Sequence, residues 1–283
     1  MVKKFFQTIG IVSLACFSFI FTEKTAVTLR DSDSLMKVIK EKSDVYKVES
    51  ENAKIEDDTI VPGLNGKNIN NNKSYDNMKR LNEFNEKLLI YDLILPDISI
   101  KNTYNKYIIS GNPRKNMVSL IFKVDVNSDV NDLLNTVDYN IPLNIFIDGN
   151  WLEKNQTLLK KIANLNYIIG NLSYNGDYTN SGYVWINTII NKYSKQEYNY
   201  CYVEEKNEDF LDICSLQKSY TILPSLIIDN NPLIEVKNGL NSGEIISLKI
   251  NEQTLKELPL IINYINSKGY RIVGLDELLS EDM

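Results

Sequence analysis

From residue 116 onward, apolar runs and amphipathic stretches alternate along the chain. "MVSLIFKV" (117–124) is apolar except at Ser119 and Lys123, the pattern of a strand buried on both faces. "SDVNDLLNTVDYN" (128–140) predicts a short capped helix and "IPLNIFID" (141–148) a strand. "NWLEKNQTLLKKIANL" (150–165) predicts an amphipathic helix with Leu152, Leu158, Leu159 and Ile162 on its apolar side. "NYIIG" reads as the next strand, "YVWINTIINKYSK" as helix, and "YTILP" and "SLIID" as extended chain. "GEIISLKI" (243–250) predicts a strand, and "EQTLKELPLIINYINSKG" (252–269) a helix stopped by Gly269. "YRIVGL" is a last strand and "DELLSE" a last helical turn. Strand–helix alternation of this kind predicts an α/β fold with parallel strands, open or closed into a barrel.

The first 115 residues lack that regularity. Residues 33–47 predict a short amphipathic helix with Asp33 or Ser34 as its cap. Residues 48–75 are polar, and "NGK" between "VPGL" and "NIN" reads as hairpin-like. "LLIYDLILPDISI" reads as extended and "KYIISGN" as a short strand. The domain layout expected is an N-terminal signal-anchor or signal peptide (1–26), a stalk and accessory region (27–115) and a C-terminal domain (116–283). The N-terminal segment has Lys3 and Lys4 before an apolar run from Phe5 to Phe21, near the lower length limit for a membrane span. Lys24 stands where a cleavage site prefers a small residue, which favours an uncleaved signal-anchor. Lys3 and Lys4 then place the start inside and the remainder outside the membrane, with a secreted protein as the alternative. "SLAC" makes a poor lipoprotein site at Cys16.

Charge and composition narrow the chemistry. The net charge of −6 and the lack of a basic cluster argue against a nucleic-acid partner. There is no histidine among 283 residues, which excludes serine triads and histidine-rich zinc sites. Hydrolytic chemistry would rest on Asp, Glu, Lys, Tyr or Cys. "DVNSDVND" (125–132) resembles the start of a calcium loop, but Val130 and Thr136 hold the places that need Gly and Glu. Helix capping by Ser128 or Asp129 explains it better. Lys123, Asp125 and Lys249 stand at the C-terminal ends of predicted strands, where barrel enzymes place catalytic groups and where ion pairs also form. Tyr174, Tyr178, Tyr183 and Trp185 would line a sugar-binding groove or pack in the core. Cys201 and Cys214, separated by a predicted turn and short helix, are a candidate disulfide outside the cell and two reduced thiols otherwise.

Two long phrases carry a family resemblance. "IPLNIFIDGNWLEKNQTLLKKIANLNYIIGNLSY" and "TLKELPLIINYINSKGYRIVGLDELL" resemble segments of the polysaccharide deacetylase family, the NodB-like homology domain. The resemblance covers residues 117–279 and implies a distorted (β/α) barrel. It also implies a divalent metal, usually zinc, held by one Asp and two His beside a catalytic Asp. Residue by residue that set is missing. The family's "TFDDG" falls on Ile121–Asp125, so Lys123 stands for the base and Val124 for the metal Asp. The metal histidines fall on Leu172 and Gly176, and a late catalytic His falls on Lys249. The "RxPxG" segment falls near "NYCYVEEK" without its Arg.

The expectation is therefore a non-catalytic, extracytoplasmic deacetylase-like domain with no cofactor, binding cell-envelope glycan or a partner protein. Its vestigial pocket would contain Lys123, Val124, Asp125, Leu172, Gly176 and Lys249, with glycan contacts from Tyr174, Tyr178 and Asp177. The alternatives are a carbohydrate hydrolase using Asp125, Asp148 and Asp177, and a structural envelope assembly factor.

Overall fold

The computed structural model describes residues 12–14, 17–18, 24–25, 27–165, 167–174 and 177–282. In chain order its elements begin with α1 (Ser34–Tyr46), β1 (Lys54–Glu56), β2 (Thr59–Val61), β3 (Gly66–Ile69), α2 (Asn71–Met78), β4 (Tyr91–Ile94) and β5 (Tyr107–Ile108). There follow β6 (Met117–Val124), α3 (Val130–Thr136), β7 (Asn144–Ile147), α4 (Gly149–Lys154), α5 (Gln156–Asn164), β8 (Ile168–Asn171) and α6 (Asn180–Tyr193). The chain continues through β9 (Asn199–Tyr202), α7 (Glu208–Leu216), β10 (Ser219–Ile222), β11 (Leu226–Ile228), α8 (Pro232–Gly239) and β12 (Ile245–Lys249). It closes with α9 (Glu252–Ser267), β13 (Arg271–Ile272) and α10 (Leu275–Leu279).

These elements form two compact units. The smaller comprises Met1–Ser50 and Gly66–Ile94. In it α1, α2 and the antiparallel pair β3–β4 enclose Leu35, Ile39, Ile69, Met78 and Leu89. Asp33 caps α1 by accepting the Leu35 amide. The larger unit comprises Glu51–Asn65 and Leu95–Met283. The accessory region expected over 27–115 is thus divided between the units. Its β1–β2 hairpin turns at Asp57, not at "NGK", and β2 pairs with β5 in the large sheet.

Eleven strands of the larger unit form one sheet in the order β1-β2-β5-β10-β9-β8-β7-β6-β12-β11, with β13 also on β6. Apart from β1–β2, the pairings are parallel. The sheet curls, so each strand has an outer face toward the helices and an inner face. Alternation sorts the side chains. Leu120, Phe122 and Val124 of β6, Ile145 and Ile147 of β7, and Ile246 and Leu248 of β12 join the helix-facing core with Leu258, Ile261 and Ile265 of α9. Ile121, Phe146, Tyr200, Tyr202, Tyr220 and Ile245 fill the inner face, plugged at one end by Leu275, Leu278 and Leu279 of α10. Gly170 has no substitute on that inner face, because a Cβ there would lie 2.2 Å from the Phe146 ring.

Two sets of bonds close the unit across long sequence separations. The buried Asn144 amide donates to Leu120 O (2.8 Å) and accepts the Leu275 amide (2.8 Å). Asn65 donates its backbone N–H to Glu281 O (2.6 Å) and its side-chain amide to Asp282 (2.8 Å).

Several predicted elements are resized. The helix expected over 150–165 is two, α4 and α5, broken at Asn155, whose side chain donates to Trp151 O (2.9 Å). Residues 71–78, within the polar stretch, form α2, with Asn70 as cap. The "NYCY" run is strand β9, which the apolar periodicity did not indicate. Among the described residues no helix is long and apolar enough to cross a membrane. Most of the Phe5–Phe21 run and Cys16, on which the signal-anchor expectation rests, lie outside the described residues.

Candidate functional site

At the C-terminal ends of the strands the larger unit has a cleft of about 500 Å³. β6 delivers Lys123 and Asp125, the end of β7 delivers Asp148, the end of β8 delivers Leu172, and β12 delivers Lys249. β6 and β12 are paired in register with Lys123 opposite Lys249. The segment after β9 adds Val203, Glu204, Glu205, Lys206 and Asn207, and α7 adds Phe210. Cys201 of β9 is bonded to Cys214 of α7, both fully buried, with Cα atoms 6.4 Å apart. That bond fixes α7, and so Phe210, against the strand beside the cleft.

Each lysine in the cleft lining has a carboxylate partner. Lys123, 11% exposed, pairs with Glu204 and lies over the Tyr202 ring, 5.6 Å from its centroid. Lys206 pairs with Asp58 of the β1–β2 turn. Lys249 pairs with Asp229 at 2.6 Å. The Lys249 bond holds the Asp229 carboxyl below the usual carboxylate range, and the same bond raises the lysine. Under Lys123, the Tyr202 hydroxyl lies 2.7 Å from Ser247 Oγ and 3.3 Å from Glu204 Oε1. Burial pushes that phenol far above its ordinary value, so it stays neutral. Asp148 is 2% exposed and caps α4 by accepting the Asn150 amide (2.8 Å). Asp125 accepts the Asn127 amide (2.8 Å) and the Ser128 hydroxyl (3.0 Å), which closes the "DVNS" turn before Asp129 caps α3. The turn and cap account for this stretch without a calcium ion.

The "NLSYNGD" loop is tightly held where it is described. Ser173 has φ +60°, donates its amide to Asn171 Oδ1 (2.7 Å) and gives its carbonyl to Gly149 N–H (2.7 Å). Leu172 packs on the inner core as well as lining the cleft. Tyr178 is buried in the lining, its hydroxyl 2.7 Å from Asn171 O and 2.8 Å from Tyr202 O while accepting the Tyr202 amide (3.0 Å). One phenol thus bridges the ends of β8 and β9.

Lys123, Asp125, Leu172, Lys249, Tyr178 and Asp148 therefore meet around one cleft, and other expected members do not. Val124 points to the opposite face of β6 and is buried in the helix-facing core, as strand alternation requires. Tyr174 sits over Gly149 and Gly182, where added Cβ atoms would come within 2.7 Å and 3.2 Å of its ring. It pairs with Trp185 at 6.1 Å and donates to Glu153 (3.1 Å), away from the cleft. Tyr183 is buried against Ser219. Asp177 is exposed outside the lining, its backbone bridged to Tyr174. The Asp125–Asp148–Asp177 arrangement accordingly does not assemble. Gly176 lies outside the described residues. Sequence reasoning missed Tyr202, Glu204 and Phe210. The alternating aromatics of "YNYCYVEE" were the available signal for a strand ending in the site.

The residues present do not fit a catalytic zinc. Zinc takes Cys, His or carboxylate ligands at about 2.0–2.3 Å. Leu172 offers no lone pair, and Lys123 presents a cation already bound to Glu204. Among the described residues no group of three His, Cys, Asp or Glu is placed to hold a metal.

No family model matches the chain. The protein YlxY of Bacillus subtilis strain 168 is 27% identical over 282 residues, covering 92% of this chain and 88% of that protein. Among solved structures, a wild-type CE4 family pseudoenzyme from Bacillus anthracis matches with a TM-score of 0.68 at 24% identity, covering 89% of this chain and 96% of that one. PdaA of Bacillus subtilis, a family 4 carbohydrate esterase, matches at 0.53 and 17% identity, over 62% and 85% of the two chains. The larger unit thus has the NodB-like fold of the polysaccharide deacetylases, and its strand-end cleft stands without their metal-ligand set.

Proposed function

We propose that this protein is a non-catalytic, deacetylase-like binding protein of the cell envelope that holds a glycan chain in the strand-end cleft. One observation carries the reading. The cleft is retained, but Lys123, Leu172 and Lys249 occupy the positions the family gives to base, metal ligand and catalytic His, and both lysines are charge-neutralised in place. The volume suits a small ligand. Phe210 and the Tyr202 edge offer apolar surface, while Asp125, Glu205 and Asn207 offer hydrogen-bonding groups to sugar hydroxyls. Nothing in the lining is arranged to polarise an amide carbonyl and activate water.

The test combines three measurements on the purified protein. Stoichiometric zinc by inductively coupled plasma spectrometry, with acetate release from N-acetylglucosamine oligomers, would refute the reading. Saturable binding of envelope glycan fragments, weakened by Phe210→Ala, supports it. Retention of an envelope protein without glycan would move the protein to the assembly-factor class.

An extracytoplasmic, membrane-held location belongs to the same proposal. The basic start with its apolar run and the Cys201–Cys214 disulfide support it. Protease accessibility of the larger unit on intact, wall-stripped cells tests it; full protection would contradict it.

A further inference from the structure

The opposite end of the same sheet has a second cleft, of about 410 Å³, which plays no part in the proposed function. It opens where strands begin. Ile168 is the first residue of β8, Tyr198 immediately precedes β9, and Tyr200 and Tyr220 are second in β9 and β10. Residues of the 276–282 segment form the facing wall.

Three features define what it can hold. The first is a group of rings around Tyr220, with Tyr104, Tyr198 and Tyr200 at centroid distances of 5.1, 5.2 and 6.1 Å. The second is charge. Five carboxylates line the cleft against the single lysine Lys101. Four are engaged: Glu277 pairs with Arg271, Glu281 accepts from Ser99 and the Ile100 amide, Asp282 accepts from Asn65, and Asp276 accepts the Glu277 amide (2.9 Å). The neighbouring Lys115 ammonium is bound to the Glu277 and Ser280 carbonyls, each at 2.9 Å. Glu197 and Asp276 have no cationic partner among the described residues. The third is Tyr200, only 2% exposed, whose hydroxyl has no hydrogen-bond partner among the described residues. Burial, followed by the Asp276 charge, raises its pKa.

These features agree on one ligand chemistry. Aromatic faces attract cations, and the attraction grows where water is excluded. Uncompensated carboxylates beside the rings add Coulomb attraction and repel anions. A phenolic hydroxyl at the cleft wall supplies one directed hydrogen bond to a polar group carried on the same ligand. We propose that this cleft binds an alkylammonium compound, its cationic head at the Tyr198 and Tyr220 rings between Glu197 and Asp276, and a hydroxyl or amine reaching Tyr200.

Isothermal titration of the full chain with choline and with 3,3-dimethylbutan-1-ol, its uncharged isostere, tests this at fixed ionic strength. Choline is expected to saturate, with the isostere at least about tenfold weaker. A Glu197→Gln/Asp276→Asn double variant, both positions being exposed, should lose about tenfold in choline affinity and leave the isostere unchanged. Tyr200→Phe should weaken both ligands. Equal affinity for choline and the isostere, or absence of saturation by choline, overturns the proposal. The first comparison needs no variant, so a folding defect cannot obscure it.

Discussion

The two ends of the large sheet solve the same problem in opposite ways. Both are clefts with tyrosines and ionisable groups. At the C-terminal end every lysine of the lining is matched to a carboxylate, and Asp125, Asp148 and Glu205 line the cleft beside them. At the N-terminal end five carboxylates line the cleft beside one lysine, and Glu197 and Asp276 have no cationic partner among the described residues. The difference is one of charge balance: lysines and carboxylates interleave at one end, and carboxylates prevail at the other. The end that resembles an enzyme site holds its lysines in ion pairs, and the end that resembles none has the larger excess of carboxylates. β9 serves both, with Tyr200 in one cleft and Tyr202 in the other.

That shared strand gives the most disruptive test. A Cys201→Ser/Cys214→Ser variant releases β9 from α7. A crosslink closing a loop of about 15 residues contributes about 3 kcal/mol in the chain-entropy account, so calorimetry should show a large fall in Tm. Both clefts should lose ligand affinity together; loss at only one end would break the idea of a common strand. Tyr178→Phe comes next. It deletes the bridge between β8 and β9 and leaves the Tyr202 amide unpaired, at a cost of about 1–3 kcal/mol by denaturant unfolding. Its effect should fall on the cleft at the C-terminal strand ends alone.

The Lys123–Glu204 pair should respond unequally to its two halves. Glu204→Ala strands an ammonium that is 11% exposed, at a cost of about 1–3 kcal/mol, whereas Lys123→Ala leaves a carboxylate 49% exposed that water can solvate. Equal losses from both would mean that the pair does not set the charge balance of that end. The smallest effect belongs to Asp229→Asn, within about 0.5 kcal/mol, because Lys249 and Asp229 are 51% and 58% exposed and solvent screens them. Its size depends on pH. Asp229 is held below its ordinary pKa, so its contribution is present above the unfolded value near pH 4 and disappears as pH falls through the folded value. Lys249 is held above its ordinary pKa, so its share is present below about pH 10.4 and disappears as pH rises through the folded value. The Tm difference between wild type and variant should therefore be flat from about pH 5 to 9 and shrink toward both extremes.

The strand–helix order of residues 117–279 was legible because each element carries its own periodicity, as in "MVSLIFKV" and "TLKELPLIINYINSKG". The placement of Lys123, Leu172 and Lys249 at one cleft was legible for the same reason, since strand ends in such a fold converge. What escaped was decided by tertiary packing. Val124 is adjacent to the site in sequence, yet the two-residue period of β6 buries it on the other face. Tyr174 sits in the expected loop, yet the bare surfaces of Gly149 and Gly182 draw its ring onto α4 and α6. The split of residues 27–115 between two units depends on β2 finding β5 nearly fifty residues later, which no local pattern announces.

The bonds from Asn65 to Glu281 and Asp282 carry a consequence for how the molecule is made. The bond to Asp282 spans a sequence separation of 217, and Asn144 waits on Leu275 across 131. A nascent chain can build β6 to β12 as it leaves the ribosome, but it cannot complete the larger unit until residues 275–282 emerge. Until then the inner face of the sheet stays open where α10 will sit, and the growing polypeptide is exposed to aggregation.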